Sequence, residues 1–543
     1  MNSISLPQEI ILLLCQELAA RRDFGTLFNC SLVSKRVASI ALEQIIQDLS
    51  SIDTGDDYNR LEWARLWRSL ILSSIGETAY PYCIYVRALS IGNLEDCLSD
   101  IIRDQHVRNF FFQGPMAPFH LLRNGRLATI TVMIKCADSI IRYLKSSADS
   151  TGAAVALEHL EGTYIPHDVL PGWIAQLRGL KSLRIRDGSV LGLDAATAIS
   201  QHCPNFMDLI CYYCTPDADT DLATFFLTLR PNSLQSFEII SKNEIGPNAL
   251  TALSTHSKSL RSLSLRSISL QAKKALPHLS SCTALETLYL ESGIFYGPPN
   301  GDDFGDMVII KKIIAWIGNC KSLKDLRVHI TDALHIVKGV LQSPDIHLTS
   351  LSMIDIGYAS EEADTSDWVI LGSQDRLESL TLGFDDSDGN GLILNRGFGL
   401  LDSICNLKSL TSLNLMLSYV TPDVVRLLAL SLPKLSEFSF SGDVMDDSIL
   451  EPLGKLSQLK LLSINCISIF SLDGLHKLAV DLDTQNCRDI RMDILNQSGE
   501  LKFREPEYLK LQQDFAKTLQ GRIEINYYMD PDELHEIDFS DSD

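Results

Sequence analysis

A six-residue pattern, Leu-x-x-Leu-x-Leu or a close apolar variant, recurs twelve times between Leu157 and Ile464. Its clearest copies are Leu180-Leu183-Ile185, Leu260-Leu263-Leu265, Leu285-Leu288-Leu290, Leu377-Leu380-Leu382 and Leu410-Leu413-Leu415. Looser ones begin at Leu157, Phe206, Leu234, Leu323, Leu348, Leu435 and Leu459. The fourth and sixth residues are two apart, so on an extended strand they share one side while the residue between them points away. A short strand followed by a returning helix or loop cannot cover its own apolar side. Neighbouring units must therefore stack into a parallel sheet over a continuous leucine column. Length alone would divide the chain into about three or four compact domains, but a stacked array escapes that limit, so one long array with end pieces is expected.

Successive first residues lie 23, 26, 28, 26, 25, 38, 25, 29, 33, 25 and 24 residues apart, mostly within the range of known repeat lengths. The units resemble leucine-rich repeats over residues 151–490, with weaker candidates at Val86-Leu89-Ile91 and Leu127-Ile130-Val132. Their irregular lengths resemble F-box-associated repeats more than the uniform kind. The fold class this implies is α/β: a solenoid with a parallel concave sheet and with helices and loops on the convex side. Cys203, Cys282 and Cys320 each stand three residues before a first anchor, where that repeat class often buries a small residue. Cys211 and Cys214 have the spacing of half a zinc site, yet they fall on the sixth and ninth repeat positions. No second Cys-x-x-Cys completes a site. No metal and no cofactor is expected.

Lys and Arg total 47 against 69 Asp and Glu, a net charge of −22. That balance argues against nucleic acid and anionic membranes as partners. Met1–Arg21 has no basic start, and its longest apolar run, Ile10–Cys15, is bounded by Glu9 and Gln16, so no signal peptide is expected. Nowhere do about 18 apolar residues run together. The thirteen cysteines then read as reduced thiols of the cytoplasm or nucleus.

The segment before the repeats carries a different pattern. Ser5 with Gln8 offers a capping box, Pro7 suits a first turn, and Ile10, Ile11, Leu14 and Leu18 line one helical face. Asp23 begins a second short helix with Leu27, and Ser34 a third with Val37, Ile40 and Ile45. Leu6-Pro7-x-Glu9-Ile10, Asp23-Phe24-x-x-Leu27 and Val33-Ser34-Lys35-Arg36 together resemble an F-box. The resemblance implies that residues 1–48 form a small three-helix module. It also implies docking on the Skp adaptor, and through it on a cullin-RING ubiquitin ligase, by way of Leu6, Pro7, Ile10, Ile11, Leu14, Leu27 and Val33. Residues 49–80 read as a helical linker with Trp63 and Trp67, 81–150 as degenerate repeats or a cap, 491–528 as a closing cap and 529–543 as an acidic tail.

In a repeat strand the third, fifth and seventh positions face the concave side. In the first half they include Arg184, Arg186, Tyr212, Glu238, Arg266, Tyr289, Arg327 and His329, a set rich in the Arg and Tyr that anchor interfaces. These are the expected substrate contacts, with the arginines reading a carboxylate or phosphate. Later fifth positions (Ser352, Thr381, Asn414, Ser439, Ser463) are blander. Two over-long units, Glu291–Asp306 and Gly383–Gly391, are further candidates for contacts. Asp386, Asp388 and Asn390 mimic a calcium loop, but Gly397 stands where the bidentate glutamate would be. No catalytic constellation has a fixed spacing. The expected function is a non-catalytic substrate receptor of a Skp-cullin-F-box ligase; a leucine-rich-repeat scaffold or a GTPase regulator without a ubiquitination role is the alternative.

Overall fold

A computed structural model describes residues 8–20, 26, 30, 37, 60–152, 155–293, 307–330, 332–356, 365–385, 399–498 and 502–527. The architecture is a leucine-rich-repeat solenoid whose chain divides into two compact units, residues 1–260 with 269–278, and residues 261–268 with 279–543.

The first unit carries five parallel strands in the order β1 (Ala88–Ser90), β4 (His159–Gly162), β5 (Ser182–Asp187), β6 (Asp208–Tyr213) and β7 (Ser236–Ile239). Between β1 and β4 lies the antiparallel hairpin β2 (Leu122–Arg123) and β3 (Arg126–Leu127). The second unit carries ten parallel strands in chain order: β8 (Ser262–Ile268), β9 (Thr287–Ser292), β10 (Asp325–Ile330), β11 (Ser350–Ile356), β12 (Ser379–Asp385), β13 (Ser412–Val420), β14 (Glu437–Met445), β15 (Leu461–Ser468), β16 (Arg491–Asn496) and β17 (Arg522–Tyr527). From β4 to β15, each strand opens two residues after the first residue of a hexad, and the fourth and sixth residues go inside. Leu183 and Ile185, Leu288 and Leu290, and Leu413 and Leu415 are all buried. The turn into each strand is shared as well. The Glu158 carbonyl accepts from the N–H groups of Lys181 and Ser182 at 2.7 and 3.1 Å, and Glu286 receives Lys324 and Asp325 in the same way.

Gly179, at one such turn, meets the preceding unit so closely that a Cβ there would lie 2.3 Å from the Val155 carbonyl oxygen. The repeat continues past 490, where a closing cap is expected: β16 pairs with β15 and β17 with β16, all parallel. Near the start, Val86-Leu89-Ile91 does contain a strand, β1. Leu127-Ile130-Val132 does not form a repeat unit. It leads into a 23-residue helix, Thr129–Thr151.

The described helices before the first repeats are α1 (Gln8–Ala20), α2 (Arg60–Ser74), α3 (Ile91–Arg103), α4 (Gln105–Phe112) and α5 (Thr129–Thr151). Trp63 and Trp67 of α2 are buried edge to face, 6.3 Å apart, where α2 packs on α3, α4 and α5.

Between stacked units, buried polar side chains hold the backbone of the unit before. Cys203 Sγ donates to the Leu177 carbonyl at 3.3 Å and Cys320 Sγ to the Cys282 carbonyl at 3.5 Å. Gln374 accepts from Leu348 N–H at 2.9 Å and donates to the Ile346 carbonyl at 3.1 Å. His256 does the same work: Nδ1 accepts from Leu234 N–H at 3.4 Å, leaving Nε2–H to donate to the Phe226 carbonyl at 3.1 Å. Protonation would set an N–H at Nδ1 against the Leu234 N–H, and burial holds the His256 pKa below the ordinary 6.5. Below that value the unfolded chain binds a proton that the folded ring refuses, so stability is complete above it and falls as the solution is acidified. Hydrogen exchange of the Leu234 amide between pH 7.5 and 5, normalised for intrinsic rate, is expected to show protection falling with acid in the native chain and a flatter profile in His256→Gln.

Candidate functional site

On α1, Ile11, Leu12 and Leu18 pack against buried Cys15 with Cys30, an inward stripe at helical spacing. The single apolar face expected from Ile10, Ile11, Leu14 and Leu18 is therefore two: Ile11 and Leu18 turn inward, while Ile10 and Leu14 remain 42% and 54% exposed. Leu13, which the sequence reading passed over, stands beside them at 60%. The helix thus offers solvent Ile10, Leu13 and Leu14, one turn of large aliphatic side chains. Leu6, Pro7, Leu27 and Val33 lie outside the described residues, as do the long insertions from 294 to 306 and 386 to 398.

Strand register gathers the expected interface residues into two clusters. In the first unit, β4, β5 and β6 bring Glu161, Arg184 and Tyr212 together. Glu161 pairs in register with Arg184, whose guanidinium lies 3.7 Å from Glu161 Oε1 and 5.5 Å from the Tyr212 ring centre. Tyr212 Oη donates to Glu161 Oε1 at 2.5 Å. Burial first, and the hydrogen bond to Glu161 second, push the phenol up to about 12, so it remains a neutral donor. Arg186 lies over the Tyr164 ring at 4.4 Å and the Tyr213 ring at 5.6 Å. Glu238 on β7 sits in register with Ile210. Tyr164 and Tyr213 were not among the expected contacts. One follows the end of β4 and the other occupies an eighth position, so a rule that looks only at third, fifth and seventh positions passes over both.

In the second unit Arg266, Tyr289, Arg327 and His329 converge. Tyr289 pairs with Arg327, and Glu291 with His329. The Tyr289 ring has the Arg266 guanidinium at 5.0 Å and that of Arg327 at 5.9 Å. Tyr289 Oη donates to Glu291 at 2.6 Å. His329 Nδ1 lies 3.3 Å from the same oxygen and Nε2 lies 2.7 Å from Ser352 Oγ. Because the phenol gives its proton to Glu291, the consistent assignment has Nδ1–H donating to it and Nε2 accepting from Ser352. Burial lowers the His329 pKa, and burial followed by the Glu291 bond raises that of Tyr289. Arg327 makes a two-point pair with Asp325, at 3.2 and 2.9 Å. From β11 onward the fifth positions Ser352, Thr381, Asn414, Ser439 and Ser463 stand side by side in register.

These are pre-organised platforms of aromatic rings, guanidiniums and carboxylates, in which every rotamer-rich arginine is already held. Such surfaces lose little side-chain entropy on binding a partner. Both thiols of Cys211 and Cys214 are buried, and burial raises them. Among the described residues no group of His, Cys, Asp and Glu converges as metal ligands would, and no helix is long and apolar enough to cross a membrane.

No family model and no curated protein matches the sequence. Among solved structures, the chain is similar to one in the crystal structure of the yeast Rad7 and Elc1 complex, at 18% identity and a TM-score of 0.35 over 68% of this chain and 92% of that one. It is also similar to one in the crystal structure of the TLR13–ssRNA13 complex, at 11% identity and a TM-score of 0.32, covering 78% of this chain and 59% of that one.

Proposed function

We propose that this protein is a non-catalytic substrate receptor of a Skp-cullin-F-box ubiquitin ligase, in which the amino-terminal helices dock the Skp adaptor and the repeats hold the protein to be modified. The observation that carries the reading is the outward row Ile10, Leu13 and Leu14 on α1. It sits inside the segment whose motifs resemble an F-box. Leaving three large aliphatic side chains about half exposed on one turn forgoes roughly half of the ~1.5–3 kcal/mol that full burial of each would give, a gain that a bound partner would recover. The repeats supply the second half: aromatic and guanidinium anchors of the type that dominate protein interfaces. Acceleration comes from proximity, by raising the effective concentration of substrate lysines near the charged conjugating enzyme.

The test is capture of the purified Skp adaptor by the full chain, compared with Ile10→Asp/Leu14→Asp and with Leu6→Ala/Pro7→Ala. Burying a carboxylate in an apolar contact costs several kcal/mol, so the first variant is expected to lose adaptor binding by about a hundredfold or more. Its circular dichroism should match that of the native chain. Undiminished capture by both variants removes the adaptor from the proposal.

A further inference from the structure

We propose that the exposed face of the first-unit strands docks a partner segment that presents lysine or arginine side chains. This rests on reading the repeats as the partner-binding part of the chain. The sequence suggested the opposite chemistry, with arginines gripping a carboxylate or phosphate. The geometry favours a different partner, because each arginine already faces groups of this chain. Arg184 is held between the Glu161 carboxylate and the Tyr212 ring, and Arg186 lies against the rings of Tyr164 and Tyr213.

Around them the negative groups are in excess. Glu95 and Asp96 stand near the start of α3, the helix that follows β1; Glu95 lies within electrostatic reach of Arg186, and Asp96 within reach of Tyr212. Glu161 on β4 and Asp208 on β6 add two more carboxylates, and the cationic or titratable nitrogen groups recorded beside the four are Arg184, Arg186 and His159. Glu95 and Asp208 are half-buried, and Asp96 is exposed beside them. Burial comes first in raising all three carboxyls, helped by Asp96 at Glu95 and by Asp100 at Asp96. An incoming anion would add to this repulsion and would meet the Glu161 carboxylate beside Arg184. An incoming ammonium or guanidinium relieves it. Charge complementarity therefore selects a basic partner segment, and the tyrosine and guanidinium platform supplies the apolar contact beside it.

The experiment is selection of a randomised dodecapeptide display library on the full chain, with the selected pool then offered to two variants. Glu95→Gln/Asp96→Asn removes two charges from this face. Asp217→Asn/Asp221→Asn removes two from the start of helix Ala218–Thr228, one at its N-cap and one in its first turn, and controls for bulk charge. Lys and Arg are expected to be enriched at least about twofold over the input. Retention of the pool should fall about tenfold on the first variant, equivalent to about 1.4 kcal/mol, and change less than about twofold on the second. A pool enriched in Asp, Glu or phosphoserine overturns the proposal, as does a pool with no enrichment or one that both variants retain equally. Adaptor capture measured on the same preparations keeps the two readings apart. If adaptor binding is intact while the basic peptides fail, this proposal alone falls; if adaptor binding also fails in the native chain, the receptor reading falls with it.

Discussion

Phe226→Ala is expected to destabilise the first unit by about 3–5 kcal/mol, the usual cost of deleting a fully buried aromatic ring. Phe226 is entirely buried. Its ring centre lies 5.1 Å from that of Phe237, 5.9 Å from Phe225 and 6.5 Å from His256, each edge to face. Its own carbonyl is the acceptor for His256 Nε2, so the cavity opens directly beside the polar link between two stacked units. Leu227→Ala, one residue on, removes a side chain that is 63% exposed, and a change of less than about 0.5 kcal/mol is expected. Solenoid stability is close to a sum of local and neighbour terms, so a single melting temperature would blend units. Hydrogen exchange resolved by peptide is the suitable readout. Protection across β6 and β7 should fall by more than about a hundredfold for Phe226→Ala and stay level for Leu227→Ala. Equal effects at the two sites would show that the aromatic cluster does not stabilise this stack.

The twelve hexads locate strands β4 to β15 because a period of two is local: the same residues that mark the pattern are the ones the strand buries. Strands β16 and β17 lie outside the hexad pattern, although Ile523–Tyr528 reads as a last strand after a closing helix at Glu505–Leu519, and both elements are present. The fourth and sixth positions of the two strands are apolar (Met492 and Ile494, Ile523 and Ile525), but the first positions are Asp489 and Gln520. Both hold left-handed backbone, at φ 57° and 53°, where polar residues such as Asp are better tolerated than branched apolar ones. Leu127-Ile130-Val132 misled for the opposite reason. It fits a loose hexad, but the buried series Val132, Met133, Cys136, Ala137, Ile140, Ile141 and Leu144 has the helical period and extends too far for a strand.

The interface residues were legible one by one, while their grouping was not. Tyr212 and Glu161 are 51 residues apart and meet only because β5 stands between their strands in register. That register also sets the surroundings of Arg184, which the sequence offers as a contact for a carboxylate or phosphate: in the stack a carboxylate and a ring of this chain already stand beside it.

Asp219→Ala is expected to cost about 2–4 kcal/mol, more than an ordinary cap, because one carboxylate serves three backbone donors of a neighbouring helix. Asp219 lies in the first turn of the helix Ala218–Thr228, yet its acceptors are spent on the start of the next helix, Pro247–Leu253. Oδ1 accepts from Gly246 N–H at 3.0 Å and Ala249 N–H at 2.9 Å, and Oδ2 accepts from Asn248 N–H at 3.3 Å. A lost cap alone costs about 0.5–2 kcal/mol. Here the carboxylate and one of its donors, Ala249 N–H, are buried, which adds the penalty of leaving that donor unsatisfied. Asp219→Asn keeps a single acceptor oxygen and should recover only part of the loss.

The same carboxylate explains the residue at position 246. A Cβ built on Gly246 would lie 2.6 Å from Asp219 Oδ2 and 2.7 Å from its carboxyl carbon, so glycine is what lets the backbone approach the acid. Gly246→Ala should therefore destabilise the native chain, but much less in an Asp219→Ala background, where the obstructing atoms are gone. A double-mutant cycle on urea unfolding, followed by exchange of the Ala249 amide, should give a coupling of about 1–3 kcal/mol. Strict additivity would mean that the carboxylate and the glycine do not act as one joint between these two helices.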